Sequence, residues 1–117
     1  MVLADTSVWI DHLRKKEIKL FNLLHKGDVC IHPFIIGEIA CGNLKNRKEI
    51  LHLLKALPKI LEATDDEVLL FIENNDLSGK GIGYIDAHLL ASSLINKVEL
   101  WTKDKRLSAI YSKLKPR

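Results

Sequence analysis

The sequence has few cysteines and none of the spacings that bind zinc. Only two cysteines occur among the 117 residues, Cys30 and Cys41, and they do not form a CxxC pair. Apolar residues flank both, which favours buried free thiols over a disulfide. The five histidines form no HExxH motif and no Cys/His ligand spacing. These absences argue against a zinc site and against a disulfide-stabilised domain.

Long hydrophobic runs are also missing. Although 47% of the residues are hydrophobic, the apolar stretches are too short and too often interrupted to span a bilayer. Residues 1–5 include neither a basic leader nor a signal-like apolar stretch. The length suits one hydrophobic core. We therefore expect a cytoplasmic protein, not associated with a membrane, with a single domain over residues 1–117.

Short apolar segments alternate with helical stretches, which indicates an α/β fold with a central parallel β-sheet flanked by helices. Apolar stripes at helical spacing and capping residues predict the helices. Thr6 or Ser7 is expected to cap the first of them, and Thr64 begins a capping box. No clear apolar strand follows the last helix. The predicted strands are residues 1–5, 29–31, 60–63 and 98–102.

Four acidic residues interrupt or end apolar runs: Asp5, Glu38, Asp86 and Asp104. An isolated buried carboxylate is costly unless something pairs with it. Asp5 and Asp104 follow predicted strands, so we expect them at the carboxyl edge of the sheet, where open α/β sheets bind ligands. Glu38 and Asp86 fall on predicted helices among apolar neighbours, which predicts that both point along a buried face toward that edge. A shared Mg2+ or Mn2+ ion is the expected partner, because both ions take oxygen ligands.

Each acid taken alone also has a structural explanation. Asp5 could cap a helix, Asp104 could be a first-turn acid favoured by the helix dipole, and Glu38 and Asp86 could pair with buried Arg or Lys. The four together favour a metal site that activates water and stabilises charge on a phosphate. Setting these four aside leaves 11 of the 15 acidic residues against 18 basic ones. Such a basic surface around an acidic centre would suit a polyanionic substrate.

The residues around these acids resemble those of PIN-domain nucleases, and more narrowly those of the VapC toxins of bacterial type II toxin–antitoxin modules. Four blocks carry the resemblance in the right order across nearly the whole chain. They are DTSVWIDHL from Asp5, HPFIIGEIACG from His32, GYIDAHLLA from Gly83 and LWTKD ending at Asp104. Each block alone is weak, whereas the four together are specific.

The resemblance implies a Mg2+- or Mn2+-dependent endoribonuclease that hydrolyses RNA phosphodiester bonds. Its catalytic and metal-site residues would be the four acids, with Thr6 or Ser7 near the metal or the substrate phosphate. It also implies a toxin that acts on structured RNA such as tRNA or rRNA. A cognate antitoxin would cover the site, and the toxin would form homodimers.

Two other functions stay open at this point. A noncatalytic PIN-like module would hold RNA or a protein partner, without metal-dependent turnover. An aspartyl-phosphate phosphatase or a receiver-like domain also clusters acids at strand ends. However, such a phosphatase requires a DxD motif after the first strand, and Asp5-Thr6-Ser7 lacks the second acid.

Overall fold

A computed structural model describes residues 1–116, in which seven helices flank a three-stranded parallel sheet. The strand order is β2-β1-β3, so the first strand lies in the centre. This confirms the predicted α/β class. The elements in chain order are β1 (Val2–Ala4), α1 (Thr6–Arg14), α2 (Ile18–His25), β2 (Val29–Cys30), α3 (Pro33–Ala40), α4 (Arg47–Ala56), α5 (Asp65–Asn74), α6 (Tyr84–Ile95), β3 (Glu99–Trp101) and α7 (Lys105–Leu114).

The central strand is apolar along its whole length because both of its faces are covered. Leu3 pairs with Cys30 on one side and with Leu100 on the other, and its side chain is fully buried. A parallel sheet covered on both faces requires such an uninterrupted apolar strand. Since all three strands run in one direction, their carboxyl ends lie along a single edge. The residues that follow β1 and β3 are therefore neighbours in space.

The predicted strand over residues 60–63 is wrong. Only one isolated bridge forms there, between Ile31 and Lys59, with Ile31 N–H donating to Pro58 O and Ile60 N–H donating to Ile31 O. The chain then leaves the sheet edge, and the side chain of Leu61 is 73% exposed. An edge segment needs several ladder hydrogen bonds to become a strand, and the capping box that begins α5 redirects the backbone first. Within residues 1–116, no strand follows α7.

The helix ends follow their capping residues, with one correction. The N-cap of α1 is Asp5, not Thr6 or Ser7: its carboxylate accepts the backbone N–H of Val8. Because Asp5 is still extended as it leaves β1, it occupies the cap position before either hydroxyl residue can. The predicted capping box of Thr64 is confirmed.

The two cysteines differ in their surroundings. Both are free thiols, as predicted, but Cys41 is exposed at the end of α3 and only Cys30 is buried. Burial raises the pKa of the Cys30 thiol. Within residues 1–116, no helix has both the length and the apolar character needed to cross a membrane.

Candidate active site

Two of the four acids leave adjacent strands at the same edge of the sheet. Asp5 follows β1, and its backbone N–H donates to Trp101 O in β3 at 2.9 Å. Asp104 lies three residues beyond Trp101 and caps α7, where its Oδ1 accepts the N–H groups of Arg106 and Leu107 at 2.9 and 3.1 Å. Both acids are therefore helix caps, the structural alternative raised for Asp5, and they also stand at the expected ligand-binding edge.

The carboxylate of Asp5 is buried, with 6% of the residue exposed, and both of its oxygens accept hydrogen bonds. Ser7 Oγ and the Val8 N–H donate to Oδ1, and Thr102 Oγ1 donates to Oδ2. These bonds supply the polar partners that a buried carboxylate requires. They also fix the rotation of the carboxylate at the end of β1.

The same two hydroxyl groups extend the network to the loop between β3 and α7. Thr102 Oγ1 accepts the N–H of Asp104 at 3.0 Å, and Ser7 Oγ accepts the N–H of Lys103 at 3.1 Å. Thr102 is thus a bridge between Asp5 and the backbone of Asp104. Thr102 was not predicted as a site residue from the sequence. The signal that could have identified it is its position at the end of a strand, two residues before an acidic residue.

Glu38 reaches the site from α3, but its surroundings differ from the prediction. Its side chain is exposed, and the buried stripe of α3 consists of Ile35 and Ile39 instead. Because consecutive residues of a helix point about 100° apart, Glu38 lies beside this stripe and not within it. The burial predicted for Glu38 is therefore wrong. The hydroxyl of Thr6 donates to Glu38 Oε1 at 2.6 Å, which holds the carboxylate against the start of α1.

Asp86 lies in the first turn of α6 and is half-buried, and the residues that follow it on the same face of the helix, Leu89, Leu90 and Ser93, are buried as predicted. Burial raises the pKa of its carboxyl group, and the backbone N–H of Gly83 opposes that rise. The charges of Asp104, Asp5 and Glu38 raise the pKa further. The acids drawn from four separate parts of the chain therefore share one electrostatic environment.

The buried basic partners considered for Glu38 and Asp86 are not found. The three ion pairs formed within residues 1–116 involve neither acid. Within the same range, no three His, Cys, Asp or Glu side chains converge closely enough to form a ready-made set of metal ligands. The oxygen donors nevertheless fit a hard divalent cation, since Mg2+ keeps several water ligands and needs only one or two direct carboxylates. A cation would also relieve the repulsion that Asp86 experiences.

A lysine clamp supports the loop that carries Asp104. The ammonium group of Lys103 lies 2.8 Å from Asp11 Oδ2 and 2.9 Å from Glu17 Oε2. Hydrogen bonds to these two carboxylates raise the pKa of Lys103. The clamp joins the loop to α1 and to the residue that precedes α2. Because the pairs are exposed, we assign them a positioning role and little stability.

Two buried histidines pack near the starts of α3 and α6. Their ring centroids are 6.4 Å apart, and Phe34 lies between them in the cluster, 4.8 Å from the ring of His88. His32 Nδ1 accepts the N–H of Phe34, whereas its buried Nε2 has no hydrogen-bond partner within residues 1–116. His88 Nε2 lies 3.0 Å from Asp65 Oδ1, although not aligned as a hydrogen bond. This cluster indicates a structural role for His88.

Comparisons with known proteins agree with this geometry. A family model described as PIN domain matches residues 2–113. Two proteins of Mycobacterium tuberculosis, from strains CDC 1551 / Oshkosh and ATCC 25618 / H37Rv, each named Ribonuclease VapC32, are 44% identical to this chain over 110 residues. Each alignment covers 93% of this chain and 89% of the relative.

Proposed function

Because this chain belongs to the PIN-domain family, we propose that it is a metal-dependent endoribonuclease that hydrolyses RNA phosphodiester bonds. The family's ribonucleases are metal-dependent in general. We further propose that it acts as the toxin of a type II toxin–antitoxin module, as the name VapC of its two relatives suggests.

One observation carries the proposal for the site: Asp5 and Asp104 follow adjacent parallel strands at one edge of the sheet and are joined through the hydroxyl of Thr102. Burial raises the pKa of Asp86, and the charges of Asp104, Asp5 and Glu38 raise it further, in agreement with this geometry. A centre that concentrates negative charge in this way costs stability, and such sites are common where a protein binds a cation or performs catalysis. We assign these four acids as the residues that hold Mg2+ or Mn2+.

The chain's own residues orient these acids. Ser7 and Thr102 hold the two oxygens of Asp5, and Thr6 holds Glu38. When bound, a divalent cation supplies charge stabilisation on phosphate oxygens and activation of a water molecule. We propose that Thr6 and Ser7 also lie beside the substrate phosphate, since both hydroxyl groups are part of the acidic centre.

The partners follow from the family assignment. We propose a structured RNA substrate, such as tRNA or rRNA, and a cognate antitoxin protein that covers the acidic centre. We also propose that residues 1–117 form one domain, that the protein is a homodimer, and that it works in the cytoplasm.

The test is cleavage of total cellular RNA by the purified full chain, with Mg2+ or Mn2+ and with EDTA. We expect discrete fragments that disappear with EDTA and with Asp5→Asn. This variant keeps an efficient N-cap residue at the start of α1, so loss of activity would not reflect loss of the helix. Asp66→Asn, which removes an exposed acid from α5 outside the centre, should cleave normally.

Absence of cleavage with every metal, from folded protein free of antitoxin, would overturn the proposal. RNA binding without turnover would then favour a noncatalytic module. Labelling of Asp5 by a phosphate mimic would instead favour an aspartyl-phosphate enzyme.

A further inference from the structure

An open groove runs from the acidic centre between α1, α3 and α4. Its volume is about 750 Å3, within the range of small-ligand sites, and Glu38 forms part of its wall. Its apolar floor comes from three helices, and Ile10 in that floor is 40% exposed. The floor residues are Ile10, Leu13, Ile39 and Ile50.

Two cations line this groove, Arg14 on α1 and Lys45 on the loop before α4. Neither takes part in the ion pairs formed within residues 1–116. Lys103, by contrast, is neutralised by two carboxylates. The pKa of Asp11 is lowered mainly by the hydrogen bond from Lys103. The charge of Arg14 lowers this pKa by a smaller amount, and Arg14 forms no ion pair with Asp11. Apart from Glu38, the charged residues that line the groove are therefore positive, and they lie outside the ion pairs formed within residues 1–116.

The groove wall formed by the loop between α3 and α4 is held in place. The guanidinium group of Arg47 donates to Gly42 O at 3.3 Å and also to Ala40 O. These bonds satisfy carbonyl groups at the end of α3, which have no partner within the helix. Asn46 then starts α4 from a left-handed backbone conformation, with φ of 53°. Arg47, the first residue of α4, thereby ties that helix to the end of α3 across the loop.

We propose that this groove binds the single-stranded RNA segment next to the phosphate that is cleaved. Arg14 and Lys45 would pair with backbone phosphates, and the apolar floor would take up a base and its sugar. The amides of Asn43 and Asn46 line the same groove and can donate to or accept from base edges. This inference rests on the proposed function and assigns RNA-contacting residues beyond the acidic centre.

The test measures binding, not cleavage. The probe is a fluorescently labelled single-stranded RNA of mixed sequence, about ten nucleotides long, a length matched to single-strand binding sites. Its affinity for the full chain is measured in EDTA over a series of salt concentrations. We expect Arg14→Gln with Lys45→Gln to weaken binding and to reduce the slope of log K against log salt by about 1.4, or about 0.7 for each lost phosphate contact.

A matched control removes the same amount of charge elsewhere. Lys26 and Lys97 are exposed and precede β2 and β3, so they lie at the opposite edge of the sheet from the acids. Replacing both by glutamine should leave the salt slope unchanged. If the groove variant and this control bind the RNA with equal affinity and equal salt slope, the proposal is overturned. The groove would then be a candidate binding site for a protein segment instead.

A second variant tests the floor without changing charge. Ile10→Ser should weaken binding of the same RNA at every salt concentration and leave the slope unaltered, whereas Ile10→Val should bind as the parent does. Unchanged affinity of Ile10→Ser would also contradict the proposal. Because the assay contains neither metal nor turnover, these outcomes are separable from failure of the nuclease assignment.

Discussion

Replacing Thr102 by valine tests whether the hydroxyl bridge positions the acidic centre. Valine has nearly the same shape, but it cannot donate to Asp5 Oδ2 or accept the N–H of Asp104. A hydrogen bond to a charged group contributes about 1.5–3 kcal/mol. Because Thr102 is half-exposed, water can replace part of this contribution, and the lower end applies. The exposed N–H of Asp104 can turn to water at little cost.

We therefore expect a loss of about 1.5 kcal/mol in the free energy of unfolding. In a domain of this size, 1 kcal/mol shifts the melting temperature by about 4 °C, so we expect a decrease of about 6 °C. The effect on function should be larger. Loss of a hydrogen-bond partner of a metal-ligating group usually costs about 10–100-fold in metal affinity or activity. Half-maximal cleavage should therefore require at least about tenfold more Mn2+.

The assay compares Thr102→Val with Thr102→Ser, which loses a methyl group but keeps both hydrogen bonds. Thermal unfolding in EDTA reports stability, and titration calorimetry with Mn2+ reports metal affinity independently of RNA. We expect the serine variant to retain the metal dependence of the parent protein. Identical metal dependence for the valine and serine variants would refute the positioning role of Thr102, even if both were less stable.

Two further predictions concern Asp86 and His32. Asp86→Asn should abolish cleavage yet raise the melting temperature of the metal-free protein. The reason is that it removes a partly buried negative charge that lies near three other carboxylates. A melting temperature lower than that of Asp66→Asn would contradict this expectation. The pKa of Asp86 in the folded protein is raised above 3.8, so the stability that its protonation adds is present below pH 3.8. This stability is lost as the pH rises through the higher pKa of the folded state. Urea unfolding should detect this pH dependence in the parent protein and not in Asp86→Asn. Burial, aided by His88, lowers the pKa of His32 from 6.5 to about 4, so its contribution to stability is present above pH 6.5 and is lost as pH falls toward 4. His32→Asn, which keeps an acceptor for the Phe34 N–H, should reduce the loss of stability between pH 7 and pH 5 in urea unfolding; an unchanged loss would show that other groups cause it.

Features that depend on a few neighbouring residues could be predicted from the sequence. The Thr64 capping box forms because its donors and acceptors are three residues apart, and Gly27 ends α2 because it adopts a positive φ of 70°. The placement of Asp5 and Asp104 after strands of one parallel sheet likewise follows from the alternation of apolar segments and helices. The spacing of the acids within recognisable blocks indicated a family, which the match over residues 2–113 establishes.

Features that depend on distant parts of the chain were decided only by the tertiary structure. Residues 60–63 have the composition of a strand, but pairing requires a partner along their whole length, and the sheet provides one bridge. Glu38 has apolar neighbours, yet it faces solvent because packing buries the adjacent stripe of α3. The hydroxyl of Thr102 donates to Asp5, which is 97 positions away in the sequence. No local sequence pattern can predict a contact over that separation. The sequence therefore predicted which acids form the candidate site, whereas tertiary packing determined their exposure and their hydrogen-bond partners, because both depend on which distant segments meet.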